Sequence, residues 1–228
     1  MQNVRRPARP APQFLLAAAA ALACSTLSLT SSADPDLLVD AKAWRIVTRE
    51  SGPVNYYAVM NEGAATFIRA HYVPPMKTAV LGWQTPDGDR RKARKLRWSW
   101  RAQKLPTGGD ECVAGKGDSA AVVYVSWKRF LRYYALKYVW SAVGTKGSVC
   151  DRKRNPFVAQ DTIIFESGGP LNTWRTAEIG LASEFRKHFE NGDASAEVPD
   201  FVGVGIMSDG DQTQTESSAD YGTFAVVR

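Results

Sequence analysis

Asp209, Asp211 and Thr213 present side-chain oxygens at alternate positions in the stretch MSDGDQTQTESSAD, and Glu216 follows. No basic residue interrupts them. Oxygen donors at this spacing suit two kinds of chemistry. A hard cation such as calcium takes six to eight oxygens, and a structural calcium would draw on Asp209 and Asp211 first. A polar ligand would hydrogen-bond to the same groups. The pattern is not an EF-hand, because the Gly and the distal Glu are misplaced. The competing reading is a solvated loop in which Asp and Thr side chains bond nearby backbone groups and shape the turn.

Other residues able to do chemistry are sparse. The chain has two His. His188 falls on the apolar side of a helical pattern, where packing is its simplest role, and His71 alternates with Phe67 and Arg69 in a strand pattern without an evident partner. No G-x-S-x-G elbow is present. GDECVAGKGD departs from a phosphate loop, with five residues between Gly109 and Gly115 and Gly117 in place of Ser or Thr. Paired carboxylates, Asp110 with Glu111 or Asp209 with Asp211, would suit a glycosidase if loops set their spacing. Seven Trp invite sugar stacking. Trp98 and Trp100 share a face with Leu96 and read as core, and Trp127 and Trp140 sit in strand patterns. Trp83 and Trp174 lie near strand ends and are the candidates for ligand contact.

Six of the eight residues from Arg90 to Arg97 are basic. They suit an anionic glycan or phosphate-rich surface, or equally a solvated turn before a strand. Arg152, Lys153 and Arg154 form a second cluster, and an anionic ligand gains weight if both clusters lie at one end.

The elements that must position these residues are mostly strands. In LRWSWRA, Leu96, Trp98 and Trp100 face one way and Arg97, Ser99 and Arg101 the other. AWRIVTR, NYYAVM, ATFIRAHYV, TAVLGW, AAVVYVSW, ALKYVW, TIIFES, FVGVGIM and YGTFAVV bring the total to about ten. One helix, GLASEFRKHFENG, has Leu181, Phe185, His188 and Phe189 on one face and Asn191-Gly192 as a C-terminal cap. The expected fold is an all-β, antiparallel two-sheet jelly-roll-like sandwich with one short helix near residues 180–191. AAVVYVSW and ALKYVW pair as a hairpin if partner numbers sum to about 262, which sets Tyr124 opposite Tyr138. Cys112 and Cys150 have the same sum. That geometry predicts a disulfide between them, contributing about 4 kcal/mol by chain entropy.

LRWSW, GGD, GDSAAVVYVSW, LKYVW, NPF and the tail VGVGIMSDGDQTQTESSADYG resemble, in this order, the bacterial family called domain of unknown function 3047. The resemblance spans most of the chain. It implies an exported β-sandwich similar to galactose-binding and carbohydrate-binding jelly rolls, and implies no settled activity.

The N-terminus reads as an export signal. Arg5, Arg6 and Arg9 precede an apolar run from Phe14 to Cys24, and Ser31 and Ala33 fit cleavage before Asp34. Ala21-Leu22-Ala23-Cys24 also allows lipid anchoring at Cys24. The expected organisation is a signal peptide, 1–33, and a single domain, 34–228. Without the signal, 26 of the 29 basic side chains face 23 acidic ones, and the net charge falls from +6 to +3. Specific nucleic-acid binding loses its support at that charge, and no apolar run in the mature chain is long enough to span a membrane. The expected function is an exported, noncatalytic binding module for a glycan or another anionic or neutral envelope ligand, in the periplasm or secreted. The alternatives are an envelope interaction protein without a small ligand and a carbohydrate-active hydrolase or lyase.

Overall fold

The computed structural model describes residues 34–49 and 56–228. The export signal and Cys24 lie outside the described residues, as does Asn55 of the strand read in NYYAVM. Thirteen strands run in chain order. They are β1 Leu37–Leu38, β2 Arg45–Arg49, β3 Tyr57–Glu62, β4 Ala65–Tyr72, β5 Ala79–Gln84, β6 Lys95–Lys104 and β7 Ser119–Arg129. Then follow β8 Arg132–Ser141, β9 Val149–Arg154, β10 Val158–Ser167, β11 Arg175–Gly180, β12 Asp200–Met207 and β13 Ser217–Val227. One α-helix, α1 Leu181–Phe189, lies between β11 and β12.

The strands form two sheets, as the alternation implies. One has the order β11–β6–β13–β4–β3, with β1 paired to β13. The other has seven strands in the order β2–β5–β12–β7–β8–β10–β9. Inward side chains of both sheets make the main core, and Leu96, Trp98, Trp100, Trp127 and Trp140 are all buried in it. Trp98 and Trp100 meet edge to face with centroids 5.7 Å apart, a geometry that suits the ring quadrupoles. Helix α1 covers part of this core with Leu181 and Phe185. It ends as its sequence implies: Asn191 and Gly192 take positive φ, and Gly192 N–H donates to the Arg186 carbonyl at 2.8 Å.

The structure departs from the sequence expectations in four places. First, β1, β9 and β11 were not among the ten. β9, VCDRKR, carries four charges in six residues and sits at a sheet edge, where both faces meet water and no alternation is needed. Second, the sandwich is not wholly antiparallel, since β8 and β10 run parallel. Third, the β7–β8 register is one residue off the expected sum. Arg129 pairs with Arg132 across a two-residue turn at Phe130–Leu131, so Tyr124 stands opposite Lys137, and Tyr138 opposite Val123. A two-residue turn forces an odd sum of partner numbers, and a slip of one exchanges the faces. Fourth, Arg101 on the outward side of β6 is buried. Its guanidinium lies 4.6 Å from the Trp174 ring centroid and bonds to Asp220 at 2.8 Å.

The Cys112–Cys150 disulfide is present, with Cα atoms 5.2 Å apart. It ties the loop before β7 to the edge strand β9, not to an extension of the hairpin. The basic run before β6 is largely neutralised. Arg90 pairs with Asp87, Arg91 with Asp200, Lys92 with Asp34, and Lys95 and Arg97 with Glu178.

Candidate functional site

The seven-stranded sheet has a second, outward face. On β8, Tyr134, Leu136, Tyr138 and Trp140 point into the core, which turns Tyr133, Lys137 and Val139 outward. Register places Gly82, Gly205, Tyr124, Lys137 and Thr162 in one transverse row across β5, β12, β7, β8 and β10. At the first two positions there is no side chain. A Cβ on Gly82 would lie 2.8 Å from Val47 Cγ1, and one on Gly205 would lie 3.0 Å from Val80 Cγ1. The two valines therefore settle onto the glycines and form a low apolar floor.

Two clefts lie along this face and share Tyr124. One, of about 450 Å³, is lined by Trp83, Tyr133, Val47 and Val80 and is mostly apolar. The other, of about 570 Å³, is polar and is lined by Asp209, Asp211, Lys137, Glu111, Asp151 and Lys153, among others. The polar cleft is walled on one side by the loop from Glu111 to Gly117, which the disulfide pins to β9.

The acidic loop is shaped locally before it does anything else. Asp209 N–H donates to the Ser119 carbonyl at 2.9 Å, and Thr215 N–H donates to the Gly210 carbonyl at 3.1 Å. A Cβ on Gly210 would sit 2.7 Å from Tyr72 Cδ1 and closer still to the Thr215 carbonyl, so the turn requires glycine. The buried Asp118 carboxylate accepts backbone N–H groups of Gln212 at 3.3 Å and Thr213 at 2.6 Å. The Thr78 hydroxyl lies 3.0 Å from Asp209 and 2.9 Å from Asp211.

Asp118, Asp209 and Asp211 thus converge, with one oxygen of each within 4.8 Å of the others. Burial raises the Asp209 carboxyl to about 6, and the Asp211 and Asp118 charges add to the rise against the opposing Lys137 and Thr78. The triad offers three of the six to eight ligands calcium takes, and both Asp118 oxygens already accept N–H groups.

Lys137 is the outlier of the cleft. It is 9% exposed, and among the described residues no hydrogen bond or ion pair reaches its ammonium. Burial alone would lower its pKa. The nearby Tyr124, Asp209, Glu111 and Asp151 more than reverse that, so the shift is upward and the charge is held. Glu111 is also buried. Its Oε1 accepts from Ser119, and its Oε2 has no hydrogen-bond partner. The Lys137 donor and the Asp209 and Asp211 acceptors therefore line one cleft.

The candidates from the sequence divide. Asp209 and Asp211 line the polar cleft, and Trp83 lines the apolar one. The other three lie elsewhere. Thr213 gives its N–H to Asp118, and its hydroxyl lies 2.8 Å from that of Thr215. Glu216 pairs with His71 at 2.6 Å and with Lys104, both on the other sheet's side. Trp174 packs edge to face on Phe67, 5.6 Å between centroids, also on the six-stranded sheet. His188 is a packed residue with a polar partner: it is buried, and its Nδ1 lies 2.9 Å from Asp161 Oδ2. Sequence reasoning missed Lys137, Tyr124, Asp118 and Thr78 as site residues, and had Glu111 only as a paired carboxylate with Asp110. A signal existed for Lys137, a lone charge inside the apolar run ALKYVW.

A family model described as protein of unknown function (DUF3047) matches residues 42–225. No curated protein matches the chain. Among solved structures, the family 11 carbohydrate-binding module from Clostridium thermocellum, in complex with a mixed-linked tetrasaccharide, aligns at 10% identity and TM-score 0.42. That alignment covers 84% of this chain and 95% of the module. The xyloglucanase domain of NopAA from Sinorhizobium fredii aligns at 10% identity and TM-score 0.44, covering 87% and 100%. Endoglucanase 3 from Trichoderma harzianum aligns at 9% identity and TM-score 0.44, covering 86% and 96%.

Proposed function

Because the chain belongs to the DUF3047 family, whose description carries no activity, we propose a function from the cleft itself: binding of an extended glycan across the outward face of the seven-stranded sheet. The observation that carries it is the Lys137 ammonium, without a hydrogen-bond or ion-pair partner among the described residues, in the same polar cleft as the Asp209 and Asp211 carboxylates. An ammonium only donates, and a carboxylate oxygen only accepts. A simple anion would satisfy the first, and a cation only the second. Hydroxyl groups donate and accept, so a polyol satisfies both at once.

The neighbouring apolar cleft extends the fit. Tyr124 and Tyr133 offer aromatic surface to the C–H faces of sugar rings, while hydroxyls at the far end meet Asp209 and Asp211. Seven strands at about 4.8 Å spacing give a face roughly 29 Å across, long enough for several sugar units in a row. The ligand class is therefore an oligosaccharide or a polysaccharide chain. Residues 1–33 would export the protein to the compartment where such chains occur, leaving Asp34 as the mature N-terminus.

The test is calorimetry or a glycan array with the chain and two variants. Lys137→Met keeps much of the side-chain length and removes the donor, and Tyr124→Ala removes the aromatic surface that both clefts share. Each is expected to weaken binding about tenfold or more while circular dichroism stays unchanged. Binding that survives both changes would place the ligand elsewhere. The same array, assayed for new reducing ends, separates binding from hydrolysis. A noncatalytic module releases none.

A further inference from the structure

The two-residue turn that sets the β7–β8 register carries large apolar side chains in water. Phe130 is 91% exposed and Leu131 is 77% exposed. The parallel pairing of β8 with β10 brings a second strand start to the same end, with Val158 opposite Tyr133. Tyr133 N–H donates to the Phe157 carbonyl at 2.8 Å, and Phe157 is itself 63% exposed. Four apolar or aromatic side chains therefore gather at one end of the sheet. Exposed apolar groups gathered in this way mark a contact surface.

The charges around them have a cationic excess. The segments KRFLRYY and RKRNPFV carry Lys128, Arg129, Arg132, Arg152, Lys153 and Arg154 and no Asp or Glu. Glu190 partners Arg129, Asp151 partners Lys153, and Asp161 partners Arg154. Among the described residues, no carboxylate pairs with Lys128, Arg132 or Arg152. The Lys128 ammonium lies 5.0 Å from the Tyr133 ring centroid, so cation and aromatic share the same spot.

We propose that this end docks on the surface of an anionic lipid bilayer. Phe130 and Leu131 enter the headgroup and upper acyl region, and the unpaired cations meet lipid phosphates. A turn tip offers projecting side chains and no recess, which suits a fluid surface better than a shaped protein partner. The three cations left without a carboxylate partner, Lys128, Arg132 and Arg152, give the charge complementarity. The docking site is separate from the glycan reading except at Tyr133, which also lines the apolar cleft.

The test uses residues 34–228, which hold the whole of the described core. It is sedimented with phosphatidylcholine vesicles holding about one-third phosphatidylglycerol, and with phosphatidylcholine alone. Binding is expected on the anionic vesicles, at least about tenfold weaker on the neutral ones, and weakened by salt. Two variants are compared. The first is Phe130→Asn with Leu131→Ser, where Asn accepts the positive φ of 52° at position 130. The second is Lys128→Glu with Arg152→Glu. Both are expected to lose at least about tenfold in vesicle binding while keeping their melting temperature and their glycan binding. An unmodified protein that ignores anionic vesicles overturns the proposal, as do variants that bind like the parent. A tip that drives self-association, lost in the first variant without any vesicle binding, also overturns it and assigns the surface to a second copy.

Discussion

Asp209 shows how a single side chain couples charge to stability. Its carboxyl is raised from 3.8 to about 6 because burial and two neighbouring carboxylates disfavour the charge. A raised carboxyl is held better as the neutral acid in the folded chain. Its stabilising contribution is full below about pH 3.8 and is lost as pH rises through about 6. Asp209→Asn keeps an acceptor for Thr78 and removes the buried charge. The variant should melt higher than the parent at pH 7.5, by an amount on the order of 2 to 3 kcal/mol, and should have no such advantage at pH 4. Equal melting differences at both pH values would show that the carboxylate is not strained. Lys137 was legible only as an oddity of composition, because its lack of a partner depends on what stands around it in space.

At the scale of elements, the disulfide does two jobs. It restrains the unfolded chain, and it fixes the Glu111–Gly117 loop as a wall of the polar cleft. Replacing Cys112 and Cys150 together with Ser should lower stability by about 2 to 4 kcal/mol in denaturant unfolding. It should also speed amide exchange in residues 110–118 and weaken glycan binding. Exchange confined to β9, with the loop unchanged, would show that the loop is held by its own hydrogen bonds. The pairing could be read from the sequence, but for a partly wrong reason. The cysteines were expected to cap an extended hairpin, whereas Cys150 lies on a separate strand that pairs with β10. Strand β9 itself was invisible to periodicity, since a charged edge strand has no apolar alternation to detect.

The whole molecule rests on the seam between its sheets. Trp98 is completely buried and touches Trp100, Tyr138 and Phe165 from both layers. Trp98→Ala should therefore cost about 3 to 5 kcal/mol, and cooperative unfolding of both sheets together is the expected signature. Urea unfolding followed by near- and far-ultraviolet circular dichroism checks this, and two separated transitions would contradict it. Such core positions were fully legible. Leu96, Trp98 and Trp100 announce their face by spacing alone, as do Val123, Val125 and Trp127 on β7.

The sequence by itself determined ten of the thirteen described strands, that the strands stack as a sandwich, where the helix falls and how it ends. These follow from local rules: period-two alternation, turn residues and a Gly cap act within a few positions along the chain. Only the tertiary structure decided which side chains share the outward face of the seven-stranded sheet. The register of β7 against β8 is set by a turn whose residues, Phe and Leu, give no turn signal. One residue of slip moves Lys137 from one neighbour to another and puts it beside Tyr124. Tyr124 and Asp209 share that face, Trp83 packs against the core, and Trp174 and Glu216 go to the other sheet, because facing and sheet membership are fixed by long-range pairing and not by local composition.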